Sequence, residues 1–185
     1  AYGHGLLECA KIFVENGADW LCVDSVDEAI FLREHGIRTK MLIMGYVGPK
    51  DLHKAVQYNV RVFLYDYWDA RTLSREAHRQ KKKAFVHIKI DTGMNRQGVQ
   101  LNDLYRFLHT LKKLPNLYIE AIATHFATAD EFASLKRDFY YMQRERFQKA
   151  ILVTKNILGN HFLIHCANSG AILTDPDSQY DLVRP

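Results

Sequence analysis

Polar side chains that could bind anions or transfer protons follow the short apolar runs of this sequence. Lys89, Asp91 and Arg96 lie at the end of one such run and directly after it. A guanidinium such as that of Arg96 can bind a carboxylate or a phenolate oxygen through paired, charge-assisted hydrogen bonds. The other candidates, in chain order, are Tyr2, His125, His165, Asn168, Ser169 and Arg184. Because loops are polar in most proteins, this pattern indicates a polar rim but specifies no reaction.

Ser169 combines two simple chemical possibilities. It stands just ahead of the apolar residues 171–173, which predict the start of a helix. Exposed backbone N–H groups at a helix start favour an anion. The simpler interpretation is that Ser169 caps the helix, and the two roles are compatible.

The elements that must position these side chains alternate between strand-like and helix-like segments. Apolar, β-branched or aromatic runs predict strands at 20–23, 41–44, 60–64, 85–90, 118–123 and 162–165. Three- and four-residue apolar spacing predicts the main helices at 6–16, 25–35, 101–113 and 135–156. Ser25 followed by Glu28 predicts a capping box, and Gly36 a helix stop. This alternation indicates parallel βα units within a single domain spanning residues 1–185.

Six strands fit either an open doubly wound sheet or most of an eight-stranded barrel. Residues 1–5 resemble the loop after a strand, and residues 180–185 resemble the beginning of another one. Adding both gives eight, so we expect an α/β protein with a (β/α)8 barrel of the TIM type, incomplete at both ends. In such barrels the active site lies at the carboxyl ends of the strands, where the candidate residues fall.

Composition excludes several other classes of protein. The formal charge of +4 is mild, and the densest basic run, Lys81–Lys83, fits a solvated turn rather than a nucleic-acid surface. Cys9, Cys22 and Cys166 form no CxxC pair and are expected to be reduced, buried thiols. No apolar run is long enough to span a bilayer within this segment. We therefore expect a cytoplasmic protein with a small-molecule substrate and no metal ion.

Five blocks of the sequence resemble the alanine racemase family, in that family's order. They are Ala-Tyr-Gly-His-Gly at 1–5, Lys-Ile-Asp-Thr-Gly-Met-Asn-Arg-Gln-Gly at 89–98, Thr-His-Phe-Ala-Thr-Ala-Asp-Glu at 124–131, His-Cys-Ala-Asn-Ser at 165–169 and Val-Arg-Pro at 183–185. The resemblance implies a barrel that binds pyridoxal 5′-phosphate as a Schiff base to a lysine. That lysine is expected three residues before Ala1.

The resemblance also implies cofactor-binding roles. Tyr2 and Ser169 would bind the phosphate, with Asn168 beside them. Arg184 would face the pyridine nitrogen, supported by His165, and His125 would lie near the ring. Arginine cannot give up its proton, so it would leave that nitrogen neutral and limit delocalisation of the carbanion into the ring. A racemase benefits, because transamination is suppressed.

Substrate contacts follow from the same resemblance. Arg96 would bind the substrate carboxylate, and Lys89, carbamylated in some members of the family, would position Arg96. An unmodified Lys89 would face another cation, which an anion such as chloride could relieve. Inversion of a stereocentre requires two bases on opposite faces. One would be the missing lysine and the other a tyrosine from a C-terminal β domain of a partner subunit, so residues 1–185 alone are expected to be inactive.

The resemblance leaves several functions open. Interconversion of L- and D-alanine through an aldimine in a homodimer is the leading hypothesis. A serine racemase of the same family, fused to a membrane domain, is the nearest alternative. Further alternatives are a related barrel that decarboxylates amino acids or carries the cofactor, and a barrel kept as a binding module.

Overall fold

A computed structural model describes residues 3–131 and 134–185 of the chain. Tyr2 therefore lies outside the described residues. By internal contacts the chain forms two compact units. The first unit comprises Ala1–Phe63, Arg71–Val86 and Pro115–Tyr118, and the second comprises Leu64–Ala70, His87–Leu114 and Ile119–Pro185. The expectation of a single domain over residues 1–185 stays a prediction.

The first unit is built from alternating helices and parallel strands. Its elements in chain order are α1 (Leu6–Glu15), β1 (Trp20–Val23), α2 (Val26–Glu34), β2 (Lys40–Ile43), α3 (Leu52–Gln57) and β3 (Arg61–Leu64), with most of α4 (Tyr67–Arg79). Strand β2 pairs in parallel with β1 and with β3. The predicted strands and the first two helices are confirmed to within one residue at each end, whereas α3 and α4 were not predicted.

The start of α2 confirms the predicted capping box in a modified form. The Ser25 hydroxyl accepts a hydrogen bond from the Glu28 amide at 3.2 Å. The Glu28 carboxylate in turn accepts from the backbone N–H of Asp24 at 2.7 Å, one residue earlier than in the standard box. Gly36 has a φ of 88°, a conformation that favours glycine, and it follows the helix end.

The second unit carries the remaining parallel strands. Its elements are the end of β4 (Ala84–Asp91), β5 (Val99–Gln100), α5 (Leu101–Leu111), β6 (Leu117–Ala123), α6 (Ser134–Leu158), β7 (Leu163–Ala167), α7 (Ser169–Thr174), a 3-10 turn (Pro176–Ser178) and β8 (Leu182–Val183). The strand order is β4-β6-β7-β8, with β5 beside β4. The strand predicted near residues 180–185 is confirmed as β8, and the short β5 was not predicted.

The three cysteines differ in exposure. All are free thiols, but Cys22 is exposed and Cys9 is half-buried. The expectation of buried thiols is therefore wrong for these two and holds for Cys166. Cys22 alternates with the buried Leu21 and Val23 along β1, so the pleat of the strand directs it to the other face.

Across residues 3–131 and 134–185, every helix is too short or too polar to cross a lipid bilayer.

Candidate active site

Lys89 is a buried cation near the carboxyl end of β4. Only 6% of its surface is exposed. Burial is the main cause that lowers the pKa of Lys89, from an ordinary 10.5 to about 7. The positive charges of Arg96 and Arg184 lower it further, and the carboxylate of Asp91 opposes them. A lysine in this setting exchanges its proton near neutral pH, and its neutral amine is a nucleophile.

Asp91 shapes the loop that carries Arg96. One carboxylate oxygen accepts from the backbone N–H groups of Gly93 and Asn95, at 2.9 and 3.1 Å. The other accepts from the Gln100 side chain at 3.0 Å. These bonds fold the segment after β4 into a compact turn and leave Arg96 exposed upon it.

Gly98 allows this turn to close. A Cβ placed on Gly98 would lie 2.4 Å from the backbone nitrogen of Asp91, and its φ of 140° strains any other residue. Only glycine lets the chain return close enough for β5 to pair with β4, where Ile90 is opposite Val99. The glycine therefore fixes the turn on which Arg96 is presented.

His125 lies two residues beyond the end of β6, and the buried Gln143 of α6 binds the backbone that directly follows it, on either side of Phe126. Gln143 donates to the carbonyl of His125 at 3.1 Å and accepts from the N–H of Ala127 at 2.9 Å. Burial, together with the charges of Lys89, Arg184 and Arg96, lowers the pKa of His125 to about 4. The imidazole is therefore neutral at physiological pH.

A buried hydroxyl chain connects the ends of β4 and β6. Gln143 donates to the Thr92 hydroxyl at 3.2 Å. The two threonine hydroxyls, of Thr92 and Thr124, are 2.8 Å apart, and Thr124 donates to the Ile90 carbonyl at 2.9 Å. Since Thr124 uses its proton on Ile90, Thr92 must donate to Thr124. Each hydroxyl thus both donates and accepts.

Asn168, and not Ser169, caps α7. The Asn168 side chain accepts from the Ala171 amide at 3.1 Å and donates to the Phe126 carbonyl at 3.3 Å. The interpretation of Ser169 as the cap is therefore wrong, because the side chain one residue earlier occupies that role. Ser169 is the first residue of α7 and is exposed.

Arg184 directly follows β8, and its backbone N–H donates to the Ala167 carbonyl at 3.0 Å. The register between β7 and β8 shifts, since three residues from His165 to Ala167 are opposite only Leu182 and Val183. Burial is the main cause that lowers the pKa of His165, followed by the charges of His87, Lys89 and Arg184.

A buried clamp tethers the segment between α7 and β8 to α6. The Tyr140 hydroxyl donates to the Asp175 carboxylate at 2.5 Å. Arg144 forms ion pairs with Asp175 at 3.4 Å and with Asp177 at 3.2 Å. Burial, then the bond to Asp175, raises the pKa of Tyr140 above its ordinary range. The clamp anchors the connection that leads from Ser169 to Arg184.

The structure brings most of the predicted site residues into one electrostatic neighbourhood of the second unit. The charges of Lys89, Arg96 and Arg184 lower the pKa of His125, and those of Lys89 and Arg184 lower the pKa of His165. Asn168 joins them through the loop after β6. The exposed Ser169 is its chain neighbour, and within residues 3–131 and 134–185 no side-chain hydrogen bond joins it to this group.

Sequence reasoning missed the supporting residues, which are Thr92, Thr124, Gln143, Tyr140, Asp175, His87 and Glu120. A polar residue within an apolar helical pattern, as at Gln143, was the available signal.

Parallel strands that alternate with helices define an α/β protein, and Lys89, Arg96 and Arg184 lie at or after the ends of its strands. The chain belongs to the family described as alanine racemase, N-terminal domain, which it matches over residues 1–185. It is 37% identical over 183 residues to an alanine racemase of Symbiobacterium thermophilum, covering 99% of this chain and 48% of the relative. It is 45% identical over 186 residues to one of Methylacidiphilum infernorum, covering 100% of the chain and 45% of the relative.

Comparison with solved structures also identifies alanine racemases as similar proteins. An alanine racemase from Clostridium difficile 630 in complex with cycloserine aligns with a TM-score of 0.93 at 32% identity, covering 99% of this chain and 50% of that one. The predicted family and fold class are therefore confirmed, and the alternative functions find no support among these relatives. The chain spans about half the length of the curated relatives that it matches.

Proposed function

We propose that the protein carrying this chain interconverts L- and D-alanine with pyridoxal 5′-phosphate as its cofactor. Membership of the family and the alanine racemases among its relatives support the reaction. The site supports it through a single observation, the concentration of positive charge at Lys89, Arg96 and Arg184.

That cation cluster fits an anionic cofactor and substrate. Burial is the main cause that lowers the pKa values of Lys89 and His125, and the neighbouring positive charges lower both further. Asp91 is the carboxylate that opposes them, but its oxygens already accept bonds from Gly93, Asn95 and Gln100. A phosphate and a carboxylate would supply the missing negative charge.

Bound pyridoxal phosphate would supply the electron sink that makes the α-proton of an amino acid removable. Arg184 would donate a hydrogen bond to the pyridine nitrogen and, because it keeps its own proton, would leave that nitrogen unprotonated. Tyr2 and Ser169 would bind the phosphate through their hydroxyls. Asn168 holds the chain at Ser169, and the neutral His125 would lie near the ring.

Arg96 would bind the substrate carboxylate, and Lys89 would become an anion that holds Arg96 in place. The neutral Lys89 amine forms an N–C bond to carbon dioxide and releases a proton to solvent, which gives a carbamate. A pKa of about 7 leaves much of Lys89 in the neutral form that this reaction needs. As a carbamate, Lys89 would carry a negative charge in place of a positive one and would so offset the positive charges of Arg96 and Arg184.

In this proposal the two proton-transferring groups would be a lysine and a tyrosine contributed from outside residues 1–185, the tyrosine by a partner subunit. Residues 1–185 would therefore bind and orient but not turn over, and the complete protein would act as a homodimer.

Racemisation of L-alanine and of L-serine by the complete protein tests the proposal. We expect turnover of alanine in preference to serine, and turnover of neither refutes the reaction. Arg96→Met should raise KM for alanine at least tenfold, because a charge-assisted pair is lost. Arg106→Met, which removes an exposed arginine of α5, is the matched control and should leave KM unchanged.

A further inference from the structure

A line of three polar side chains, His165, His87 and Glu120, runs through the interior of the second unit. Nδ1 of His87, on β4, lies 2.9 Å from Nε2 of His165, on β7. Nε2 of His87 lies 3.6 Å from a carboxylate oxygen of Glu120, on β6. His87 is fully buried, and the Glu120 side chain is 12% exposed. The line therefore runs from His165, whose pKa the charge of Arg184 lowers, through His87 to the carboxylate of Glu120.

When both rings are neutral, the contact between the two imidazoles holds one proton, which belongs either to Nδ1 of His87 or to Nε2 of His165. If His87 donates from Nδ1, its neutral ring presents a lone pair on Nε2 to the Glu120 carboxylate, which repels it. If His165 donates from Nε2, the remaining proton of His87 lies on Nε2 and points to that carboxylate. Nε2 of His87 lies 3.6 Å from that carboxylate, beyond hydrogen-bond distance, so the preference is electrostatic. A carboxylate attracts an N–H and repels a lone pair, and the second arrangement turns the N–H of His87 toward it.

The same choice determines what His165 offers to its other neighbours. With its proton on Nε2, a neutral His165 keeps a lone pair on Nδ1. The positive charges acting on His165 from outside the imidazole pair are those of Lys89 and Arg184. Arginine is donor-only, so it tolerates an acceptor nearby and not a second N–H.

We propose that Glu120 and His87 are positioning residues that fix His165 as the Nε2–H tautomer and so make it an acceptor toward Arg184. Glu120 orients His87, His87 orients His165, and none of the three needs to touch a ligand. A carboxylate that orders a histidine in this way is a recurrent device for fixing a tautomer. The consequence for catalysis rests on the proposed role of Arg184, whereas the direction of the hydrogen bonds does not.

Nitrogen-15 NMR of the complete protein labelled at histidine tests the direction. The signals are assigned with His87→Gln and His165→Gln. We expect both imidazoles to be protonated at Nε2 and unprotonated at Nδ1 near pH 7.5. A protonated Nδ1 on His87 overturns the proposal, and this measurement on the unmodified protein needs no variant of Glu120 to fold.

Two replacements of Glu120 then test its part. Glu120→Leu removes the acceptor and should mix the two tautomers of His87, whereas Glu120→Gln keeps an acceptor oxygen and should restore the pattern. Glu145→Leu, at an exposed glutamate of α6, is the control for the loss of a carboxylate. Unchanged His87 signals in a folded Glu120→Leu protein overturn the role of Glu120.

Kinetics separate this inference from the proposed function. In the racemase, Glu120→Leu should lower kcat about tenfold with KM within about twofold, the usual scale for partners of a site residue, and Glu120→Gln should recover most of it. If both histidines show the expected tautomers but the protein has no racemase activity, the tautomer proposal is supported and the proposed function is refuted. If the protein is a racemase but the histidines show the opposite tautomers, the proposed function is supported and the tautomer proposal is refuted.

Discussion

Replacing Lys89 by methionine measures how much the buried positive charge of Lys89 lowers the free energy of unfolding. The pKa of Lys89 falls from 10.5 to about 7, a difference of about 3.5. One pKa unit corresponds to about 1.4 kcal/mol, so the charged form is disfavoured by about 5 kcal/mol in the folded chain. Methionine has a similar length and no charge, and it should avoid this cost.

The pH dependence follows from where the proton is held more tightly. Between pH 7 and pH 10.5 the unfolded chain keeps the Lys89 proton and the folded chain releases it. The free energy of unfolding of the wild type should therefore rise with pH across this window, because the unfolded state binds more protons. The destabilisation by Lys89 is complete below pH 7 and disappears above pH 10.5.

Urea unfolding of the cofactor-free protein, in buffers purged of carbon dioxide, provides the assay. The stability of Lys89→Met minus that of the wild type should decrease by about 4 kcal/mol from pH 6.5 to pH 10.5, because the transition is not quite complete at either end of this window. Lys83→Met, at an exposed lysine just before β4, is the matched control for the loss of a lysine. A Lys89→Met difference that stays constant with pH would refute the reasoning. Bicarbonate should stabilise the wild type near pH 8 and leave the methionine variant unaffected.

Three further variants test the residues that hold the site. Gly98→Ala should cost about 3 kcal/mol or more, because its Cβ would meet the Asp91 backbone nitrogen at 2.4 Å; a neutral effect on urea unfolding would contradict the close approach. Tyr140→Phe should cost about 1–3 kcal/mol, since a buried carboxylate, Asp175, loses a donor; a stability equal to wild type would show that the clamp is not formed. Gln143→Leu should cost about 3 kcal/mol and raise KM for alanine, because three buried hydrogen bonds are lost; retention of both values would remove Gln143 from the site's support.

The sequence was informative wherever a local pattern determines a local structure. Ser25 and Glu28 predicted a helix start because their hydrogen bonds span only three residues. Apolar runs predicted β1 to β3 to within a residue because buried strands have few other solutions. The candidate residues at strand ends followed from the parallel βα pattern, since that pattern places such ends at one rim.

Contacts between distant segments could not be predicted in the same way. Gln143 reaches Thr92 from 51 residues away, and His87 reaches His165 from 78 residues away. Asn168 and Ser169 are both good helix caps, and the phase of α7 decides between them. The register shift between His165 and Ala167 leaves no trace in composition or periodicity. In each case the fold selects one partner among several that the sequence allows.

The site contains two kinds of polar group. Some form complete hydrogen bonds within the chain, and others carry positive charge that the nearby carboxylate only partly offsets. From Gln143 through Thr92 and Thr124 to Ile90, each donor meets an acceptor, so this scaffold is ordered before any ligand arrives. The positive charge of Arg184 instead makes the protonated form of the buried Lys89 less stable. A negatively charged ligand would stabilise the protonated side chains, and the hydrogen-bonded scaffold would already be ordered when it binds. More of the binding free energy is then available to orient the ligand. The stability lost at the cations is therefore the part of the fold that an anionic cofactor or a carbamate should restore.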